Sequence, residues 1–353
     1  MVIVRREGIL LKPRNLEFEK NGVLNPACIK KGNNVHMFYR AVNSKMVSSI
    51  CYCKLEGAVK VVERSNKPIL EPEFEYESHG IEDPRIVEIN GTYYMTYTAY
   101  DGKNVRIAYA TSKNLKDWKK QGIISPDITY DEAENIFRKC STKLKERYFL
   151  FESYFKDIVG KDVQLWNKDA ILFPKKIKGK FALLYRVLPD IQIAYFKNFK
   201  DLTLDFWKEQ FKSLSDHVLL ESQYSFESRN IGGGCPPIET KKGWLLIYHA
   251  VDDMDRGKIY RGGIALLDKN DPQKVIYHPS LPFFSPMEGW EKQGVIKNVV
   301  FPTGAVIFGN RLYVYYGAAD KYIGVLRLHM DELLHEIVQK QVQFIECDET
   351  CTF

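Results

Sequence analysis

The sequence predicts an all-β fold, a five-bladed β-propeller with short helical insertions and a C-terminal helix, and three observations carry that reading. A proline-led apolar strand, a tight turn and an aromatic-rich strand recur five times in that order. The copies follow one another at roughly 60 residues, the size of a four-stranded unit. Further strand-like stretches, such as Ser49-Ile-Cys-Tyr-Cys and Val105-Arg-Ile-Ala-Tyr-Ala, fall between the copies.

The first copy is Pro26-Ala-Cys-Ile, Lys31-Gly-Asn-Asn and Met37-Phe-Tyr-Arg; the second is Pro84-Arg-Ile-Val, Asn90-Gly and Tyr93-Tyr-Met-Thr-Tyr. The third is Pro174-Lys-Lys-Ile, Lys178-Gly and Phe181-Ala-Leu-Leu-Tyr-Arg. The fourth is Pro237-Ile-Glu-Thr, Lys242-Gly and Trp244-Leu-Leu-Ile-Tyr-His, and the fifth is Pro302-Thr-Gly-Ala-Val, Gly309-Asn and Leu312-Tyr-Val-Tyr-Tyr. Asn-Gly, Lys-Gly and Gly-Asn pairs supply the positive φ that tight hairpin turns need. From each Pro to its closing Tyr (Tyr39, Tyr97, Tyr185, Tyr248, Tyr315) the spacing is about 11 to 13 residues. The second-to-third interval is longer by about 25 to 30 residues. Within that excess Asp131-Glu-Ala-Glu-Asn-Ile-Phe-Arg-Lys-Cys reads as helix, so a helical insertion is expected over about 129–160. Asp205-Phe-Trp-Lys-Glu-Gln-Phe reads as a second short helix. Met330 to Val338 places a C-terminal helix at about 330–340. All are additions to a single catalytic domain spanning 1–353.

Composition narrows the function classes. A chain of 353 residues with 45% hydrophobic and 27% charged residues is large enough to bury its core without staples. The net charge of +6 comes without a Lys/Arg-dense arm, which argues against a nucleic-acid partner. The seven cysteines are dispersed. Cys51 and Cys53 share one strand face, but no second Cys/His pair stands at ligand spacing, so reduced thiols and no metal are expected. No run reaches the length of a membrane span, and the first residues, broken by Arg5, Arg6 and Glu7, do not form a signal peptide. A cytoplasmic location and no membrane partner are the expectation.

In a propeller the innermost strands line one channel, so polar residues at their upper ends converge. Asn25, Glu82, Asp83, Lys168, Asp169, Gly232 to Gly234 and Asn298 lie just before or within the first strands of the copies. Arg40, Asp101, Arg186, His249, Asp252 and Asp320 lie just after the second strands. Carboxylates mixed with Arg, Lys and His suit a polyhydroxylated polar ligand. One Asp beside a Pro is usually a turn residue; recurrence around one axis changes that weighting. Lys168, Arg186 and His249 occupy comparable places in successive copies, and two permanent cations at one mouth call for an anion.

At these residues the sequence resembles glycoside hydrolase family 130. The likeness is carried by Gly80-Ile-Glu-Asp-Pro-Arg-Ile, Lys168-Asp-Ala-Ile-Leu-Phe-Pro, Ile231-Gly-Gly-Gly-Cys-Pro-Pro-Ile, Gly243-Trp-Leu-Leu-Ile-Tyr-His and Asn298-Val-Val-Phe-Pro-Thr-Gly, followed by Tyr315-Tyr-Gly-Ala-Ala-Asp. It runs from about Leu24 to Leu328. The resemblance implies a five-bladed propeller and a β-mannoside phosphorylase, with β-1,2-mannosidases as a minority. It implies Asp83 as catalytic acid, with the proton relayed through a mannose hydroxyl and inversion at the anomeric centre. It further implies Lys168, Arg186 and His249 as the phosphate site and Asp320 as a sugar ligand; Arg40 and Asp101 are further candidates for the sugar. A phosphorylase replaces the base and its water with phosphate, which cations must hold in line.

The chain departs from the family at Asn230, where many phosphorylases carry Lys or Arg, and at Tyr185, where many have His. Arg229 is adjacent to Asn230, but strand alternation points neighbours to opposite faces. The favoured expectation is phosphorolysis of β-1,2-linked mannose to α-mannose 1-phosphate, with inorganic phosphate as co-substrate and no cofactor. The alternative is an inverting β-1,2-mannosidase with Asp83 as acid and Glu227 as base. An arabinan- or fructan-cleaving propeller would leave the Lys168/Arg186/His249 set surplus, and a non-catalytic sugar-binding propeller would need no acid on the axis. The acceptor sugar and the oligomeric state stay open, a homo-oligomer being compatible with the sequence.

Overall fold

Turn chemistry and strand alternation produce a succession of antiparallel meanders in the computed structural model, which describes residues 1–140, 144–254, 257–340 and 342–348. Strands account for 48% and helices for 18%, so the fold is mostly β. The chain opens with β1 (Val2–Leu11). The first meander is β2 (Gly22–Lys31), β3 (Asn34–Val42), β4 (Ser48–Glu56) and β5 (Lys60–Arg64). The second is β6 (Gly80–Ile89), β7 (Thr92–Tyr100), β8 (Val105–Ser112) and β9 (Lys119–Ile123). The third is β10 (Lys168–Leu172), β11 (Phe181–Arg186), β12 (Ile191–Phe196) and β13 (Val218–Leu220). In the fourth, β14 (Asn230–Gly233) and β15 (Ile238–Thr240) both pair with β16 (Gly243–Met254), followed by β17 (Gly257–Leu267) and β18 (Val275–Tyr277). The fifth runs β19 (Val300–Phe308), β20 (Arg311–Ala318) and β21 (Tyr322–His329), then takes β1 and, outside it, β22 (Phe344–Cys347). The first two meanders share one sheet only through the single pairing Ser48↔Gly80.

The second strand of each meander is buried on both faces over most of its length, which is why it reads as a nearly continuous apolar run. Phe38 packs in a core with Ile81, Met95 and Tyr97, while its neighbour Tyr39 packs with Tyr315 and Val325. Leu184 joins Ile231, Trp244 and Leu246, while Leu183 and Tyr185 join Val87 and Ile107. Leu245 and Ile247 join Val300, Val314 and Tyr316. Each of five hydrophobic cores therefore lies between one meander and the next, the last between the fifth and the first.

Two helices fill the expected insertion, α1 (Tyr130–Arg138) and α2 (Glu146–Val159). Thr129 and Glu132 form a reciprocal capping box at the start of α1. With α3 (Leu204–Lys212) they bring Tyr130, Phe137, Tyr148, Trp207 and Phe211 against the third meander. After the short α4 (Gly289–Lys292), α5 (Met330–Gln339) buries Leu333 and Ile337 in the core of the fifth. One expected strand is displaced. Pro174-Lys-Lys-Ile is not the first strand of the third copy; Lys168–Leu172 is, and the Lys178-Gly turn is closed only by an isolated bridge between Ile177 and Lys180. A proline has no N–H to give a ladder, and here it follows the strand's end. Among the described residues no helix is long and apolar enough to cross a membrane.

Candidate active site

The first strand of four meanders carries a bulge at the same height. Register shifts fall between Leu24 and Ala27, Glu82 and Arg85, Lys168 and Ile171, and Pro302 and Gly304. In the fourth meander the first strand is instead broken between β14 and β15. At three of these bulges a short polar residue takes left-handed φ: Asn25 (48°), Asp83 (49°) and Asp169 (58°). Asn and Asp tolerate that region better than other side-chain-bearing residues, and a bulge re-aims the side chain it carries.

Asp83 is 8% exposed. Its Oδ1 accepts from Asn25 Nδ2 at 2.8 Å and lies 3.3 Å from Arg40 Nη1. Among the described residues Oδ2 takes no hydrogen bond. Arg40 also donates to Glu82 at 2.6 Å and to Ser48 at 2.8 Å. Burial, and then the charge of Asp83, pushes the Glu82 carboxyl up against the pull of Arg40. Asp320, at φ 52°, faces the same group; burial pushes it up to about 6, Asp83 adding to the rise and Arg40 opposing it. Arg85 ties this strand to the fourth meander. Its buried guanidinium donates to the carbonyls of Asp83 (2.9 Å) and Pro84 (3.2 Å), and to those of Gly233 (3.2 Å) and Gly234 in the fourth meander.

The second group joins the third and fourth meanders. Lys168 and Arg186 are register partners on β10 and β11, and His249 pairs with Gly232. A Cβ at Gly232 would stand 2.4 Å from the His249 ring and 2.9 Å from Arg186 Nη1, so only glycine fits there. Asp169 Oδ2 lies 2.8 Å from Arg186 Nη1 and 3.8 Å from His249 Nε2. Neither contact is aligned as a hydrogen bond, and both Asp169 oxygens are buried without a donor among the described residues. Burial alone would push this carboxyl up; Arg186 and Lys168 hold it below its ordinary value. His249 is fully buried, its ring 4.2 Å from that of Phe301, and burial pushes it down to about 3. It is therefore a neutral imidazole beside the two permanent cations Lys168 and Arg186. Arg186 Nη1 stands 3.2 Å from Nε2, and a guanidinium only donates, so Nε2 accepts and the ring proton sits on Nδ1. Lys168 makes no ion pair among the described residues, yet it bears electrostatically on Glu82, Asp169 and Asp320 and so links the two groups.

Two sequence candidates lie outside this arrangement. Asp101 is committed to its own turn, accepting from the backbone of Lys103 (2.9 Å) and Asn104 (2.6 Å) and from the Asn104 side chain, with Arg106 at 3.7 Å. Glu227 is fully buried with both oxygens engaged. Oε1 takes the Tyr248 hydroxyl and lies 2.9 Å from His278 Nε2; Oε2 takes the backbone N–H of Gln223 (2.7 Å) and Tyr224 (3.1 Å). Tyr248 and His249 are successive strand residues, so Glu227 serves the face opposite His249. Among the described residues it is one of four buried glutamates that each take a tyrosine hydroxyl. Glu19 holds Tyr39, Glu77 holds Tyr97, and Glu291 holds Tyr316, each glutamate fully buried. The signal was present in the sequence as Phe18-Glu19, Tyr76-Glu77, Phe226-Glu227 and Trp290-Glu291, the first three each just before a first strand and the last further upstream of β19. Arg229 likewise is engaged elsewhere, paired with Asp253.

Comparison with known proteins shows the family. The model of the glycoside hydrolase 130 family, described as beta-1,4-mannooligosaccharide phosphorylase, matches residues 5–339. A 1,2-beta-oligomannan phosphorylase of Thermoanaerobacter sp. (strain X514) is 36% identical over 92% of this chain and 96% of its own. A beta-1,2-mannobiose phosphorylase of the same organism is 36% identical with the same coverage. Among solved structures, the beta-1,2-mannobiose phosphorylase of Listeria innocua shares the fold at TM-score 0.71, with 24% identity over 95% of this chain and 99% of that one. The chain belongs to glycoside hydrolase family 130.

Proposed function

We propose that this protein is an inverting phosphorylase that cleaves β-1,2-linked mannobiose or manno-oligosaccharides with inorganic phosphate and releases α-mannose 1-phosphate. The observation that carries the reading is the juxtaposition of Asp83, with one oxygen unengaged, and the permanent cations Lys168 and Arg186 around the same bulged first strands. Two relatives at 36% identity, described as phosphorylases of β-1,2-linked mannosides, support the linkage. The architecture is read as a single-domain five-bladed propeller over 1–353, a reading supported by five meanders and five interleaved cores that return to the first sheet.

In this mechanism Asp83 supplies the proton to the departing glycosidic oxygen. A phosphate oxygen attacks the anomeric carbon from the opposite face; the new C–O bond forms as the old one breaks, and the configuration inverts. Lys168 and Arg186 hold the phosphate in line and offset its charge, while neutral His249 accepts from Arg186 and fixes its guanidinium. Arg40 and Asp320 bind mannose hydroxyls. Asp101 and Glu227 have no part in the chemistry, and neither a metal nor an organic cofactor is required. A charged product is retained by a membrane, which suits a cytoplasmic enzyme.

The test is turnover of β-1,2- and β-1,4-mannobiose with and without millimolar phosphate, assayed for α-mannose 1-phosphate. Sugar phosphate that forms from the β-1,2 substrate only with phosphate present supports the reading. Free mannose at the same rate without phosphate sinks it in favour of hydrolysis. Arg186→Ala is expected to lower the phosphate-dependent rate by about 10³-fold.

A further inference from the structure

We infer that Arg85 is a positioning residue: its guanidinium holds the bulge that aims Asp83 and ties that bulge to the glycines beside Arg186 and His249. The inference rests on Asp83 being the acid, as proposed above. Asp83 and Pro84 stand outside the ladder, because Glu82 pairs with Thr98 and the next pair is Arg85 with Thr96. Their carbonyls therefore need donors from elsewhere, in a strand where Asp83 and Arg85 are 8% and 1% exposed. Arg85 supplies both, at 2.9 and 3.2 Å.

Two other bulges meet the same need with weaker groups. The carbonyl of Pro26, beside Asn25, takes the Thr303 hydroxyl at 2.9 Å, and that of Ala170, beside Asp169, takes the Thr96 hydroxyl at 2.6 Å. In each of those a neutral hydroxyl of another meander donates. The bulge of Asp83 has a charged donor, and such a hydrogen bond is roughly twice as strong. The same guanidinium then crosses to the carbonyls of Gly233 and Gly234. Neither glycine has room for a side chain: a Cβ would stand 2.8 Å from the Asp169 carbonyl oxygen at Gly233 and 2.6 Å from that of Ile247 at Gly234. Gly232, next in the chain, is the register partner of His249. Phe301 completes the link, since its ring centre lies 5.9 Å from the Arg85 guanidinium and 4.2 Å from the His249 ring. Among the described residues Arg85 makes no ion pair, and its donations all go to main-chain carbonyls. A buried cation that neutralises no carboxylate is costly. What the arrangement yields is a fixed geometry between the bulge of the acid and the group around Arg186.

The experiment compares two substrates in the presence of phosphate: β-1,2-mannobiose, whose leaving oxygen needs a proton, and dinitrophenyl β-mannoside, whose leaving group departs without one. Arg85→Lys keeps the charge but loses the planar fork that spans both strands. It is expected to lower kcat on mannobiose about 10²-fold with KM for phosphate unchanged, and to leave turnover of the aryl mannoside at the wild-type rate. Equal losses on the two substrates, or no loss on either, overturn the inference. Asp83→Asn is the reference. If it shows no dependence on the leaving group, the acid assignment fails and the inference with it. If it shows that dependence and Arg85→Lys does not, the inference alone fails. Wild-type cleavage that needs no phosphate sinks only the phosphorylase reading and leaves the comparison in force. Pro84→Ala decides the case in which Arg85→Lys does not fold, since it loosens the bulge with the guanidinium in place. A loss confined to mannobiose then supports the inference, and unchanged or equally lowered turnover of both substrates overturns it.

Discussion

Carboxylates are buried in two regions of this molecule, and the surroundings treat them in opposite ways. At the start of four meanders Glu19, Glu77, Glu227 and Glu291 have both oxygens engaged by tyrosine hydroxyls, backbone N–H groups and basic side chains. At the bulges, Asp83 keeps one oxygen without a hydrogen bond, and Asp169 has two that are buried and unaligned with any donor. A buried acceptor left without a donor costs about 1–3 kcal/mol, more for a charged group. Folding alone would not favour such an arrangement. The satisfied carboxylates hold strands together; in the proposed function the unsatisfied ones accept from sugar hydroxyls.

Three changes test that division. The largest effect is expected from Asp83→Asn, which keeps the shape and removes the proton. Phosphorolysis should fall by about 10³-fold while Tm stays within a degree or two of wild type; a large loss of Tm would show that Asp83 is structural after all. Glu227→Gln should do the reverse. Losing a charged acceptor of four donors is expected to cost about 3 kcal/mol of unfolding free energy, read by denaturant titration, with kcat of the folded fraction retained. An inactive but fully stable Glu227→Gln would break the comparison and restore its candidacy as a base. The smallest effect is expected at Asp320, whose value is raised from 3.8 to about 6 in the fold. The folded protein holds this proton more tightly than the unfolded chain, so the stability it contributes is complete below about pH 4 and lost as pH rises through about 6. Asp320→Asn should therefore raise Tm by a few degrees at about pH 8 and leave it unchanged at about pH 4, while weakening mannoside binding.

The hairpins were legible because their turns are written locally, as Asn90-Gly91 and Gly309-Asn310 show. The third meander misled because Pro174 sits where other copies have their inner strand, while the strand that forms, Lys168–Leu172, has no proline. Asp83 and Lys168 were legible through motif likeness. Nothing local marks the left-handed φ that turns Asp83 inward, since a bulge depends on what the partner strand does. Glu227 looked like a base because it stands three residues from Asn230 in the chain; its partners Tyr248 and His278 are far away in sequence. The neutral state of His249 was not legible, because residue type does not report burial.

The place of β1, between β21 and β22 in the fifth sheet, bears on synthesis. The first four meanders pair strands close in sequence and have their parts available early on the ribosome. The fifth sheet needs Arg5 and Arg6 beside Arg327 and Leu326, a pairing of very high contact order. Until the last strands emerge, Val2 and Val4 have no core to enter, and the apolar edge of the first meander stays open on the nascent chain. The slow step of maturation is then the search of β1 for β21, and that interval is when the protein is most exposed to aggregation.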